Sequence, residues 1–315
     1  MSIFCPFCLK DHEGNECKQG EDIKKIPQTY IKAFQKGAFV YPVAVVGYKG
    51  CGKTTYLSSL IYVLYHKLPN SWISILALNQ QTIDKIERDY IPRLKTGNFP
   101  PPTVQFFEEP LLLKITVSAE KFKIPYKKET ILVLYDTQGG TYDTIDTIKD
   151  NFPLISLIPN LILLVDLYTL CKTTTSPDMA LHSIVNKLII ALDELNSSAK
   201  EKNLIVCFTK TDQFWDLKGA EQDFGPLAHR PPEPNSDLSL IKYCKKEIYK
   251  TNKDIEEFIK EKYNNFFEAI NDNFGGYCFI HSSNIGSKPK EDTNTFTNYN
   301  PLGVVDPILW ILSIK

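Results

Sequence analysis

Between Tyr41 and Ile280, short apolar runs alternate with stretches in which apolar residues recur every three or four positions. The first run, Pro42-Val43-Ala44-Val45-Val46, is continuous and rich in β-branched residues, the pattern of a strand buried on both faces. Leu57, Leu60, Ile61, Leu64 and Leu68 follow at helical spacing until Pro69-Asn70 stops the helix. Further strands are expected at Leu111 to Val117, Ile131 to Tyr135, Leu161 to Val165, Leu204 to Phe208 and Tyr277 to Ile280. Ser176-Pro177 opens a helix as N-cap and first residue, with a buried stripe of Leu181, Ile184, Val185, Leu188, Leu192 and Leu195. Ile255, Phe258, Ile259, Phe266, Phe267 and Ile270 give another. Apolar strands alternating with amphipathic helices predict an α/β fold, a mainly parallel sheet covered by helices on both faces.

Before Tyr41 the pattern is different. Residues 1–20 hold three of the eight cysteines and little apolar material, so they read as a small module, with 21–40 as a linker and 41–315 as the α/β domain. Cys5-x2-Cys8-x3-His12-x4-Cys17 offers four soft or borderline ligands, the number a closed tetrahedral Zn²⁺ site requires. The spacing resembles a zinc knuckle with a shortened gap before the His, which leaves open a cysteine from elsewhere in place of His12. A tail of reduced thiols is the alternative. So short a segment has no core of its own, and a bound metal would supply its folding energy. Lys10 and Lys18 are offset by Asp11, Glu13 and Glu16, which favours docking to protein over contact with nucleic acid. Cys51, Cys171, Cys207, Cys244 and Cys278 are scattered and read as small buried hydrophobes, not as a disulfide framework.

Composition narrows the classes. Of 315 residues, 43% are hydrophobic and 23% charged, which excludes wholesale disorder. Thirty-six basic against 37 acidic residues give a net charge of -1, so the chain has no general attraction to nucleic acid or anionic membranes. The longest apolar run, Leu154 to Leu170, is interrupted by Pro159, Asn160 and Asp166 and falls short of a membrane span. Neither end reads as a targeting signal, so a reducing cytoplasm is the expected compartment.

The chemistry lies in the turns after the strands. Gly47-Tyr48-Lys49-Gly50-Cys51-Gly52-Lys53-Thr54 fits G-x-x-x-x-G-K-[ST] between a strand and a helix, with Thr55 in the first helical turn. A loop of small residues lets consecutive N–H groups converge on a polyphosphate at the positive end of a helix. Lys53 would reach the β- and γ-phosphates, and the Thr54 hydroxyl would ligate Mg²⁺. The next strand delivers Asp136-Thr137-Gln138-Gly139, in which Asp136 can hold Mg²⁺ and the Gly139 N–H can sense the γ-phosphate. An ATPase would more often carry Glu where Thr137 stands. Another strand delivers Thr209-Lys210-Thr211-Asp212, whose carboxylate can accept two N–H groups of guanine that adenine lacks. Alone, this tetrapeptide also fits a capped surface loop. His281-Ser282-Ser283-Asn284 is a polar turn suited to closing over a base, or an ordinary strand end; His281 itself reads as structural.

In order, Gly47 to Thr54, Asp136 to Gly139, Thr209 to Asp212 and Ser282-Ser283 resemble the phosphate, switch II, guanine and base-closing motifs of the Ras-like, translation-factor-related (TRAFAC) P-loop GTPases. Cys5-Pro6-Phe7-Cys8, Pro100-Pro101-Pro102-Thr103 and the apolar segment Val305 to Leu312 further resemble the bacterial double-GTPase proteins of conflict and signalling systems. The resemblance implies a three-layer P-loop fold. It also implies a cytoplasmic GTP- and GDP-binding switch with Mg²⁺, an effector or GTPase-activating partner, and Thr103 as the switch I threonine on that Mg²⁺. Thr103 lies 50 residues after Lys53, so an insertion at about 70–98, a strand-like piece and a helix, is expected before it.

Catalysis departs from the family pattern. Gly140 stands where many relatives carry the Gln that orients water, so slow intrinsic hydrolysis is expected, with Gln138 as the candidate substitute. Lys49 could add charge to the phosphate site or obstruct an incoming arginine. The arginines are Arg88, Arg93 and Arg230, and a finger from a partner fits better than one in cis. Two other readings stay open: a nucleotide-bound scaffold with little turnover, and a zinc-containing RNA or ribosome factor, which the net charge weakens.

Overall fold

Every side chain from Val43 to Val46, from Ile131 to Tyr135 and from Leu204 to Phe208 is buried, whichever way it points from its strand. Such strands need cover on both faces. The computed structural model describes residues 2–19, 22–68, 72–100, 109–117, 129–137, 139–234, 239–290 and 295–313, and in it the strands form one seven-stranded sheet. Two small hairpins come first: β1 (Ser2–Phe4) with β2 (Asp11–Glu13), and β3 (Glu16–Gln19) with β4 (Asp22–Lys25). Then follow α1 (Gln28–Gln35), β5 (Phe39–Val46) and α2 (Lys53–His66). The stretch read as a linker thus carries β4 and α1.

Between α2 and the next central strand lie β6 (Ile73–Ala77) and a helical run of α3 (Gln80–Asp84), a π-helical segment Lys85–Tyr90 and α4 (Ile91–Lys95). The chain continues through β7 (Leu111–Val117), β8 (Glu129–Asp136), α5 (Ile145–Asn151), β9 (Asn160–Val165), α6 (Leu167–Thr173), α7 (Pro177–Glu194) and β10 (Asn203–Phe208). It closes with α8 (Ala220–Phe224), α9 (Leu240–Tyr243), α10 (Tyr249–Lys262), α11 (Asn264–Asn273), β11 (Gly276–His281) and α12 (Asp306–Ser313).

The sheet order is β11-β10-β9-β5-β8-β7-β6, parallel except that β7 runs against both neighbours. This is the expected α/β class, three layers with a mainly parallel sheet in the middle. Val46, Val133, Tyr135, Leu163 and Val206 point to the face covered by α1, α7, α10 and α11. Val45, Leu132, Leu134, Leu164 and Ile205 point to the face covered by α2, the 80–95 run and α12. From β5 the chain places β8 on one side and β9 on the other. That reversal leaves a crevice outside the carboxyl ends of these strands, where ligands of open α/β sheets bind.

One expectation changes. The apolar pattern from Ile255 to Ile270 reads as one helix, but the backbone breaks at Tyr263 (φ -132°, ψ 56°). Asp178 of α7 causes this locally: its carboxylate accepts from the Asn265 and Phe266 N–H groups at 3.3 and 3.0 Å, starting a new helix. The N-terminal module sets its own apolar side chains Ile3, Phe7 and Leu9 into the same buried core cluster as Ile131 and Val133. Among the described residues, no helix is long and apolar enough to cross a membrane.

Asp306, 3% exposed at the start of α12, accepts a hydrogen bond from Tyr243 Oη at 2.9 Å. Burial pushes its carboxyl from the ordinary 3.8 up to about 8. The folded chain therefore holds a proton that the unfolded chain releases, and stability falls as pH rises through that window, by up to about 1.4 kcal/mol per pH unit. Thermal unfolding of Asp306→Asn, which keeps the acceptor without the charge, should show a flatter profile between pH 6 and pH 8 than the parent. An equal slope in both would refute the assignment.

Candidate functional site

The turn after β5 can be occupied only by glycine at its start. Gly47 has φ +151°, and a Cβ there would lie 2.7 Å from Cys51 Sγ and 2.8 Å from Leu164 O. Gly52, at φ 91°, is the N-cap of α2, and no side chain caps that end. The first-turn N–H groups of a 14-residue helix are thereby directed into the loop. Lys53 is 5% exposed and its ammonium turns back on the loop, donating to Gly47 O at 2.5 Å and Tyr48 O at 3.2 Å. Cys51 is fully buried, while Lys49 and Gly50 are exposed and Thr54 and Thr55 half-buried.

β8 carries Asp136 to the same edge, opposite Val45 in the register of β5. Asp136 is 4% exposed. The Thr137 hydroxyl lies 3.5 Å from Val45 O and 3.3 Å from the Tyr142 hydroxyl. Gly139–Tyr142 is a 3-10 turn that lays the Tyr142 ring 5.7 Å from the Lys53 ammonium. Gln138 and Thr103 lie outside the described residues. Among the described residues, a Cβ at Gly140 would meet only Asp143 Oδ2, at 3.6 Å.

The 80–95 run brings two residues that the sequence did not single out. Burial lowers the Lys85 ammonium pKa, and the negative charge of Asp136 acts against that shift. Burial raises the Tyr90 phenol, and Asp136 raises it further. Both therefore lie within electrostatic reach of Asp136. Nothing in an amphipathic helical pattern marks them.

The loop after β10 is tied to the glycine loop. Thr209 Oγ1 donates to Cys51 O at 3.0 Å, and Lys210 Nζ donates to Gly50 O at 3.0 Å and to Asp166 Oδ2 at 2.6 Å. Asp166, which the sequence marks only as a polar break in an apolar run, caps α6 through the Thr169 N–H at 3.0 Å. Asp212 is 6% exposed; burial raises its carboxyl and the hydrogen bond donated by Ser283 Oγ opposes that. The Thr211 N–H reaches Ser282 O at 3.3 Å, and Ser59 of α2 donates to Asn284 O at 2.6 Å. The four sequence segments thus meet at one edge. His281 is 3% exposed, and burial pushes it down to about 3, so it stays neutral, as a structural histidine would. Arg88 pairs with Asp84 at 3.6 Å and Arg230 lies 5.0 Å from the Trp215 ring.

The second cluster is in the N-terminal module. The Cys5, Cys8, His12 and Cys17 ligand atoms all lie within 4.8 Å of one another, with Cys8 Sγ 2.9 Å from His12 Nε2. A Zn²⁺ tetrahedron with bonds of about 2.3 Å has edges of roughly 3.8 Å, so the set can close on an ion with small shifts. His12 completes it without a further cysteine. Leu9, at φ 58°, makes the tight turn, and the Phe7 N–H points at Cys5 Sγ, 3.4 Å away. Burial pushes the Cys5 thiol up to about 12, so only a cation would make it a thiolate at neutral pH.

No family model and no curated protein matches the chain. The structural neighbours are GTPase domains. The Ski7 GTPase-like domain of S. cerevisiae, bound to GDP and inorganic phosphate, is 17% identical with a TM-score of 0.39, over 90% of this chain and 51% of that one. This chain thus spans about half of the Ski7 chain. Toc33 of Arabidopsis thaliana, in complex with GDP and Mg²⁺, is 14% identical with a TM-score of 0.36, over 91% and 90%. The SRb-GTP/SRX signal recognition particle receptor complex of Chaetomium thermophilum matches at 15% and 0.36, over 79% and 93%. At these scores, chemistry rests on the residues themselves.

Gly47→Ala tests the loop geometry. The methyl group meets Cys51 Sγ and a backbone carbonyl, so the variant should lose roughly 1–3 kcal/mol in urea unfolding, as overpacked sites do. Unchanged stability would mean the loop is looser than described.

Proposed function

We propose that the chain binds GTP and GDP with Mg²⁺ and acts as a nucleotide-dependent switch. The observation that carries this is the bonding of the Thr209–Asp212 loop to the glycine loop, at Cys51 O and Gly50 O, with Asp212 held by Ser283. On this proposal, that bonding fixes the loop that would cradle phosphate relative to the carboxylate that would accept from a base. In this reading Gly47 to Thr55 embrace the phosphates, with Lys53 donating to the terminal ones. Asp212 accepts from guanine, while Lys210, Ser282 and Ser283 line the base. Mg²⁺ when bound would neutralise phosphate charge, and Thr54, Asp136 and Thr103 are the residues to hold it. Gly139 senses the γ-phosphate.

Slow Mg²⁺-dependent hydrolysis, stimulated by a GTPase-activating partner, follows from Gly140 and from the surface settings of Arg88 and Arg230. An effector would read the GTP state. The scaffold reading, with little turnover, is favoured by Tyr142 beside Lys53. Zn²⁺ in the Cys5–Cys8–His12–Cys17 set would be structural. A cytoplasmic bacterial signalling or defence setting is the context the family resemblance offers.

Equilibrium binding of GTP, GDP, ATP and xanthosine nucleotides decides the base. The parent should prefer GTP over ATP, and Asp212→Asn should lose roughly ten- to a hundredfold in GTP affinity while gaining xanthosine binding, because a charge-assisted pair of hydrogen bonds is replaced. ATP bound as tightly as GTP would overturn the assignment. In Gly140→Gln the Cβ meets Asp143 Oδ2 at an ordinary 3.6 Å, and single-turnover GTP hydrolysis should rise by about tenfold or more if water orientation is what the turn lacks. No rise would move the deficit elsewhere, to Tyr142 or to a partner's group.

A further inference from the structure

A side chain of β8 joins the metal cluster to the carboxyl edge of the sheet. Cys5 is flanked by Phe4 and Pro6, and the carbonyls of both are held by buried tyrosines. Tyr30 of α1 donates to Phe4 O and Tyr135 of β8 donates to Pro6 O, each at 2.7 Å. Pro6 O lies within the Cys5–Cys8 turn, in which the two sulfurs converge. Tyr135 is fully buried, and its ring lies 6.1 Å from Phe152, so its hydroxyl has little freedom. The next residue is Asp136, opposite Val45 and hence beside the start of the glycine loop.

We propose that the metal-binding module is a clasp on the nucleotide site: an ion held by Cys5, Cys8, His12 and Cys17 fixes Pro6 O, Pro6 O fixes Tyr135, and Tyr135 sets the end of β8 that presents Asp136. This rests on the nucleotide reading above. Without the ion, the three thiols and His12 have no common centre, the Cys5–Cys8 turn loosens, and the carbonyl that receives the Tyr135 hydroxyl is no longer fixed. The module's own apolar side chains keep it on the sheet, so its loosening acts at β8 instead of releasing a free tail. Metal binding and Mg²⁺·nucleotide binding are then coupled, each strengthening the other by the same factor.

The test uses the full chain loaded with Zn²⁺, then stripped with a chelator selective for Zn²⁺ over Mg²⁺, and a Tyr135→Phe variant that keeps the ring. Two readouts are taken: affinity for a fluorescent GDP analogue in Mg²⁺, and amide hydrogen exchange across 131–137. Stripping should weaken GDP binding by roughly tenfold and speed exchange, and restoring Zn²⁺ should reverse both. Tyr135→Phe, still fully zinc-loaded, should show the weaker binding already and respond little to stripping. Binding and exchange that stay within about twofold on stripping would overturn the clasp, as would a chain that takes up no Zn²⁺ or a Tyr135→Phe variant that responds like the parent. If the zinc-loaded parent binds no GDP, the nucleotide reading fails by itself, and the exchange readout still decides whether the ion holds β8.

Discussion

Lys210 is the residue on which the carboxyl edge of the sheet depends. It follows β10, bonds to Gly50 O in the turn after β5, and pairs with Asp166 after β9, so one ammonium joins three strand ends. The Asp166 side chain is 2% exposed, and a carboxylate so desolvated needs fixed partners; the Thr169 N–H and hydroxyl supply the others, at 3.0 and 2.7 Å. Lys210 itself sits at φ 59°, a left-handed conformation that costs an L residue about 1 kcal/mol or more. That strain persists because the surrounding bonds over-determine the residue. The same conformation turns the chain so that Asp212, two residues on, faces Ser283.

The elements legible in the sequence are those whose signal is local. Strands buried on both faces leave continuous apolar runs, and β5, β8, β9, β10 and β11 could be read for that reason. The glycine loop was legible because its backbone angles and close contacts admit few residue types. The hairpins β1 to β4 carry mostly polar residues and form around a turn set by cysteines, so periodicity has nothing to detect. The break at Tyr263 is a tertiary event: the apolar spacing runs on, and Asp178 from another helix decides where the new helix starts. Asp166, Lys85 and Tyr90 escape for the same reason, since each reaches the site by the approach of an element distant in sequence from the glycine loop. Tyr142 is close in sequence to Asp136, and only the 3-10 turn Gly139–Tyr142 brings its ring to Lys53.

The N-terminal module shows how little charge balance says about packing. Offsetting lysines and acids on a short cysteine-bearing segment point to a protein surface as its partner. Its own apolar residues Ile3, Phe7 and Leu9 belong to the same buried core cluster as Ile131 and Val133 of the sheet. A metal module with so few apolar residues gains more by packing them against a preformed sheet than by exposing them for an outside partner.

The Lys53 ammonium explains how a phosphate ligand could be converted into movement. As described, it donates to two loop carbonyls and faces the ring of Tyr142. A phosphate oxygen is a charged acceptor, and a charge-assisted hydrogen bond is roughly twice as strong as one to a neutral carbonyl, so an entering polyphosphate would draw the ammonium away from Gly47 O and Tyr48 O. Tyr142 shares its 3-10 turn with Gly139, so a turn that closes on the γ-phosphate cannot leave the ring where it is. Thr137, placed between Val45 O and the Tyr142 hydroxyl, then exchanges one neighbour for another. In the proposed reading, recognition of the phosphate and rearrangement of the turn are therefore one event. Gly140 gives that turn no side chain, which in the proposed reading suits it to reporting the nucleotide more than to consuming it.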